Sequence, residues 1–174
     1  RWILYDTDFG FGIWDQYAYT FNTLSFALDP NGPGWPNPPW STFVFRKLME
    51  NENFQNTFIN IYCDMLNTVL LPEFLTTRLD SISGNIEEMI PVHRARWLND
   101  GEWPNSTTNW ENRLNQMENF ANQRRNYAIM HLMDEFDLPS LSQVTITKTP
   151  DSGGHVKVNT CLLYTSDAAD EVQC

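Results

Sequence analysis

Hydrophobic side chains recur along most of this chain at helical spacing. Phe54, Phe58, Ile61, Met65 and Val69 stand three or four positions apart, which predicts an amphipathic helix over 52–70. Trp110, Leu114, Met117, Ala121, Arg124, Ala128, His131 and Met133 predict one long helix over about 108–136, ended by Pro139. Shorter helices fill the space between. Ser41 is placed to cap one that runs through Met49, and Pro72 suits the first turn of another that reaches about Leu79. Gly84 breaks the spacing, Ile86, Met89 and Ile90 resume it, and Pro91 kinks or restarts the chain before a helix over 93–98.

The two ends have a different rhythm. Residues 2–5 (WILY) are short, apolar and aromatic, and they end at an acid, which predicts a buried strand delivering Asp6. Residues 143–148 and 156–158 alternate with period two around the turn sequence DSGG at 151–154, which predicts a hairpin. The stretch 29–40, DPNGPGWPNPPW, holds five prolines and two glycines and is a loop, as is 100–109. Residues 13–28 are aromatic and irregular and give no firm element. The fold expected is therefore mainly α (α+β): one strand, a helical block and a terminal hairpin, in one domain with one core. A chain whose first residues already read as a buried strand is expected to be a fragment.

Composition changes the picture at the far end. Residues 161–171, CLLYTSDAADE, resemble the in-frame translation of a sequencing-library adapter, so 161–174 is expected to be disordered and the natural sequence to stop near Thr160. That tail holds Asp167, Asp170 and Glu171 and no base, so without it the net charge falls from −11 to −8. It also holds Cys161 and Cys174, which leaves Cys63 alone, in an apolar helical run that reads as core. An acidic chain without a basic stripe is a poor nucleic-acid binder, since phosphates need clustered Lys and Arg; Arg124-Arg125 is an isolated pair. No apolar run approaches the roughly 20 residues of a membrane helix.

Candidate chemistry concentrates near the start, in YDTDFGFG. Extended backbone at Asp6-Thr7-Asp8 points both carboxylates to one side, about 7 Å apart. Such a pair can hold Mg²⁺, which takes one or two carboxylates and fills its shell with water and phosphate oxygens. The glycines behind it permit backbone turns that other residues resist. Two other readings stay open on spacing alone: solvated acids at a turn, and the paired carboxylates of a carbohydrate-active enzyme, which stand about 5–10 Å apart. The letters Asp8-Phe9-Gly10 match the metal-binding motif of protein kinases, although three letters recur by chance.

The remaining candidates read as structural. His93, Arg94 and Arg96 suit a helix surface, His131 suits a partly buried position, and Trp35, Trp40 and Trp103 suit packing their own loops. Asn105-Ser106-Thr107 is a glycosylation sequon, relevant in a secreted eukaryotic protein, and capping of the long helix by Ser106 or Thr107 is the preferred reading. Zinc spacing, a G-x-S-x-G elbow and a phosphate-loop motif are all missing from the sequence.

The pattern Trp2-x-x-x-Tyr5-Asp6-x-Asp8-x-x-x-Gly12 resembles the metal-binding strand of the spore-coat CotH kinase family. The order of the later features is similar too: a Pro and Trp loop, Leu48-Met49-Glu50-Asn51, Phe54 and Phe58, Asp64-Met65-Leu66-Asn67, His93-Arg94-Ala95-Arg96-Trp97, then Trp110 leading to Phe120 and Arg124-Arg125. The resemblance covers about 1–138, with 139–160 as the start of a β-domain or a linker hairpin. It implies a protein-kinase-like C-lobe using ATP and Mg²⁺ or Mn²⁺ to phosphorylate a protein hydroxyl. Asp6 is then the metal acid, Asp8 a second metal- or phosphate-proximal acid, and Gly12 part of the cofactor-binding turn. The family's nucleotide-clamping Lys, its Glu partner, the catalytic Asp and the metal-binding Asn lie upstream of this strand. So the resemblance implies a piece with no catalytic residue of its own, inactive without the missing N-terminal lobe. A CotH-like surface or adhesion protein without phosphotransfer is the alternative, and a cell-surface or extracytoplasmic location suits either.

Overall fold

In the computed structural model the described residues are 10–12, 15–35, 37–97, 107–142, 156–159 and 161–164. They are mainly helical and fall into two units. The strand expected at 2–5 lies outside them.

One unit comprises Asn22–Leu70 and the chain from Asn126 onward. Helix α1 (Thr23–Leu28) begins where the Asn22 side chain accepts a hydrogen bond from the Ser25 amide at 3.0 Å. Helix α2 (Phe43–Met49) comes after a 3₁₀ turn over Pro39–Thr42. Ser41 does not cap it. It sits inside that turn with its hydroxyl buried and without a hydrogen-bond partner, because Pro39, fixed near helical φ, starts the coil earlier. Helix α3 (Glu52–Leu66) is capped by Asn51, whose side chain accepts from the Phe54 amide at 3.1 Å. A turn closes its other end, with the Leu70 amide donating to the Met65 carbonyl at 2.9 Å, so the helix stops short of Val69.

The buried face of α3 differs from the one its spacing predicts. Leu66 is buried, and Phe58, Ile59, Tyr62 and Cys63 pack against the same cluster, while Ile61, Met65 and Val69 are exposed. The helix is apolar on two sides, so periodicity alone could not choose between them. Leu24, Leu66, Ala128 and Leu132 form the centre of this core. Phe58 joins it, edge-on to Phe45 at 5.4 Å and tilted against Phe136 at 6.1 Å between ring centroids.

The other unit comprises the chain up to Phe21 and Leu71–Arg125. Helix α4 (Pro72–Ile86) has Pro72 at its first position, as expected. It runs straight through Gly84, which was expected to break it. A 3₁₀ turn (Glu87–Met89) then leads into α5 (Ile90–Trp97), with Pro91 in its first turn, where a missing amide proton costs nothing. Ile90 and Ala121 are the buried apolar residues of this unit.

Helix α6 (Thr107–Glu135) contributes residues to both units, dividing between Arg125 and Asn126. It ends before Pro139. Asp137 takes a left-handed φ of 50°, and the Leu138 amide donates back to the Met133 carbonyl at 3.0 Å. Near the end of the chain β1 (Val156–Val158) pairs antiparallel with β2 (Cys161–Tyr164). Of the hairpin expected from 143–148 and 156–158, the second strand is β1, which pairs here with 161–164, a stretch expected to be disordered; 143–148 and the turn at 151–154 lie outside the described residues.

Candidate functional site

Of the three residues singled out for cofactor and metal binding, Gly12 is described, and Asp6 and Asp8 lie outside the described residues. What the structure does describe is the segment just after those acids and the helix that holds it. Phe11 and Gly12 both take left-handed backbone, with φ of 55° and 74°. For Phe11 this is a costly conformation, and its ring meets Phe120 of α6 at 5.5 Å between centroids, tilted by 46°. At Gly12 a β-carbon would lie 3.3 Å from the Asp15 carbonyl and 3.3 Å from the Phe120 ring, so the position suits glycine on both counts.

Beyond Gly12 the chain turns again. The Asp15 carboxylate accepts from the Tyr17 amide at 2.8 Å and its carbonyl from the Ala18 amide at 2.9 Å, opening a 3₁₀ turn over Ala18–Thr20. This irregular stretch leaves carbonyls without ladder partners, and α6 supplies the donors. Gln116 Nε2 donates to the Gly12 carbonyl. Arg124 Nη1 donates to the Tyr19 carbonyl at 2.9 Å and to the Phe21 carbonyl at 2.7 Å. Gln116, Phe120 and Arg124 are spaced four apart, so one edge of the helix presents all three. Sequence reasoning noticed Phe120 and Arg124 but passed over Gln116. Its signal was the i, i+4, i+8 spacing that puts two backbone-reaching donors, Gln116 and Arg124, on either side of the Phe120 ring.

A cleft of about 440 Å³ opens on the same edge, lined by Gln16, Tyr17, Asn109, Asn112, Arg113, Asn115, Gln116 and Asn119. The Arg113 guanidinium donates to Gln116 Oε1 at 2.7 Å. In the other unit a cleft of about 500 Å³ lies among Phe43, Arg46, Lys47, Glu50, Glu135 and Phe136. Lys47 pairs there with Glu50 at 2.6 Å, across two exposed side chains.

The other candidates fall in several places. His93 is exposed on α5, and the Arg96 guanidinium lies over the Trp97 ring at 5.2 Å. His131 is partly buried, 6.3 Å from the Tyr127 ring. Trp35 and Trp40 are 88% and 76% exposed, contrary to the expectation that they pack their loop down. Trp103 and the Asn105-Ser106-Thr107 sequon lie outside the described side chains. Burial, and secondarily the charge of Asp64, push the Cys63 thiol above its usual 9.0. A nucleophile needs the reverse shift, so Cys63 serves as core. Among the described residues no group of three or more His, Cys, Asp or Glu side chains could hold a metal ion. Among them, too, no helix is long and apolar enough to cross a membrane.

No curated protein and no solved structure matches the chain. The family model described as CotH kinase protein does match it, over residues 1–128. That span takes in the Asp6-Thr7-Asp8 sequence, the moored turn at Gly12 and most of α6, and the chain belongs to the CotH kinase family.

Proposed function

We propose that the chain is the C-lobe part of an ATP- and metal-dependent protein kinase of CotH type, which transfers phosphate to a protein hydroxyl. What carries this reading is the family match over 1–128 taken with the D-x-D at Asp6 and Asp8. Two carboxylates two positions apart are a donor set that suits Mg²⁺ or Mn²⁺. Bound there with ATP, the metal supplies charge neutralisation on the phosphates. Asp6 would hold it, Asp8 would stand as the second acid, and Gly12 would belong to the cofactor-binding turn that follows them. Gln116, Phe120 and Arg124 position that turn from α6. The nucleotide-clamping Lys and the catalytic Asp belong to an N-terminal lobe, so residues 1–174 alone are inactive. A location outside the cytoplasm or at a cell surface accompanies this reading.

A surface or adhesion protein without phosphotransfer is the second reading, favoured by the exposure of Trp35 and Trp40. Transfer from labelled ATP separates the two, with the full-length parent tested beside its Asp6→Ala and Asp8→Ala variants. The kinase reading expects labelling that Asp6→Ala abolishes. Loss in Asp8→Ala alone moves the metal acid by two residues. A folded parent that neither binds nor consumes ATP sinks the kinase reading and leaves adhesion.

A further inference from the structure

Asn and Gln recur along α6 at 109, 112, 116, 119 and 123, in alternating steps of three and four. Such steps keep them on one stripe of the helix. Asn112, Asn119 and Gln123 are exposed, and the cleft beside Gln16 and Tyr17 lies along this stripe. Its lining includes no acid and a single cation, Arg113, which is engaged with Gln116.

We propose that this carboxamide cleft binds the main chain of an uncharged segment of the acceptor polypeptide. The proposal rests on the kinase reading for the word acceptor, and on the cleft itself for the rest. Each carboxamide offers two donors and an acceptor without charge. A polypeptide main chain offers one donor and one acceptor per residue, also without charge. Gln116 of the lining also donates to the carbonyl of Gly12, which stands four residues after Asp8 in the sequence. No lining acid is present to select a basic sequence.

The test is binding of a short Gly-, Ser- and Asn-rich peptide to the isotope-labelled 174-residue chain, monitored through the side-chain NH₂ resonances of Asn and Gln. Saturable shifts at Asn112 and Asn119 are expected. Binding, read from the remaining cleft resonances of Asn109, Asn115 and Gln116, should weaken about tenfold in an Asn112→Leu/Asn119→Leu double variant whose backbone spectrum is otherwise unchanged, and remain in an Asn60→Leu control on α3. Asn112→Asp is the near-isosteric second variant, expected to weaken binding while preserving shape. Absence of shifts, equal binding by the double variant, or shifts with a neutral oligosaccharide such as maltohexaose but not with the peptide would each overturn the proposal. No arm contains nucleotide or metal, so failure here leaves phosphotransfer untouched, and failure of phosphotransfer leaves peptide binding to stand by itself.

Discussion

The segment Gly10 to Phe21 and the cluster around Leu132 are both built on α6, yet they are held by opposite chemistries. The first is irregular, and polar side chains of the helix reach its carbonyls: Gln116 to Gly12, Arg124 to Tyr19 and Phe21. The second joins helices whose backbones satisfy themselves, so only apolar contact is needed, and Leu24, Leu66, Ala128 and Leu132 supply it. A helix can thus serve as hydrophobic wall over one stretch and as a row of donors over another. The donors go where an irregular chain leaves backbone unpaired.

Breaking the apolar half should cost most. Leu132 is 3% exposed at the centre of its cluster, so Leu132→Ala should destabilise by about 2–5 kcal/mol, read as a lower denaturant midpoint. If the loss is under about 1 kcal/mol, the cluster is not the core of its unit. Breaking the polar half comes next. Arg124→Ala removes a charged donor shared by two carbonyls and should cost about 2 kcal/mol. Its effect should fall on the Tyr19 and Phe21 region, seen as faster amide exchange there, with the Leu132 cluster still protected. Gly12→Ala should cost about 1–2 kcal/mol, from the left-handed backbone, and the crowding against Phe120 adds to it. On the proposed kinase reading, phosphate transfer by the parent should also fall with Gly12→Ala.

The helices and their apolar cluster were the more legible in sequence. Pro72 at the start of α4, the long helix before Pro139 and Phe58 in the core all come from periodicity and proline chemistry. The face of α3 was misjudged because Ile61, Met65 and Val69 repeat at helical spacing as well as Phe58, Tyr62 and Leu66 do. Capping was half legible. Asn51 caps α3, whereas Ser41, an equally good residue by type, lost its place to the Pro38-Pro39 turn before it. Asn51→Ala should therefore cost about 1 kcal/mol, while Ser41→Ala, which removes a buried hydroxyl with no partner, should cost nothing or stabilise. The polar half was barely legible. Which carbonyl an Arg or Gln on a helix reaches depends on how an irregular segment folds, and no local pattern encodes that.

The smallest expected effect bears on the one helix break that did not occur. A glycine in a helix interior costs about 1 kcal/mol relative to alanine, through the backbone freedom it must surrender. That penalty weakens a helix but ends one only where a left-handed residue or an incoming partner takes over, as Asp137 does at the end of α6. Gly84 takes no left-handed φ, and no atom lies within 4 Å of where its β-carbon would stand. With Pro72 starting the helix twelve positions earlier, the ladder simply continues to Ile86. Gly84→Ala should then stabilise the unit of Leu71–Arg125 by about 0.4–1 kcal/mol and leave the Leu132 cluster unchanged. A destabilising Gly84→Ala would mean that a partner packs on α4 at that point, and the helix would have to be read as part of an interface.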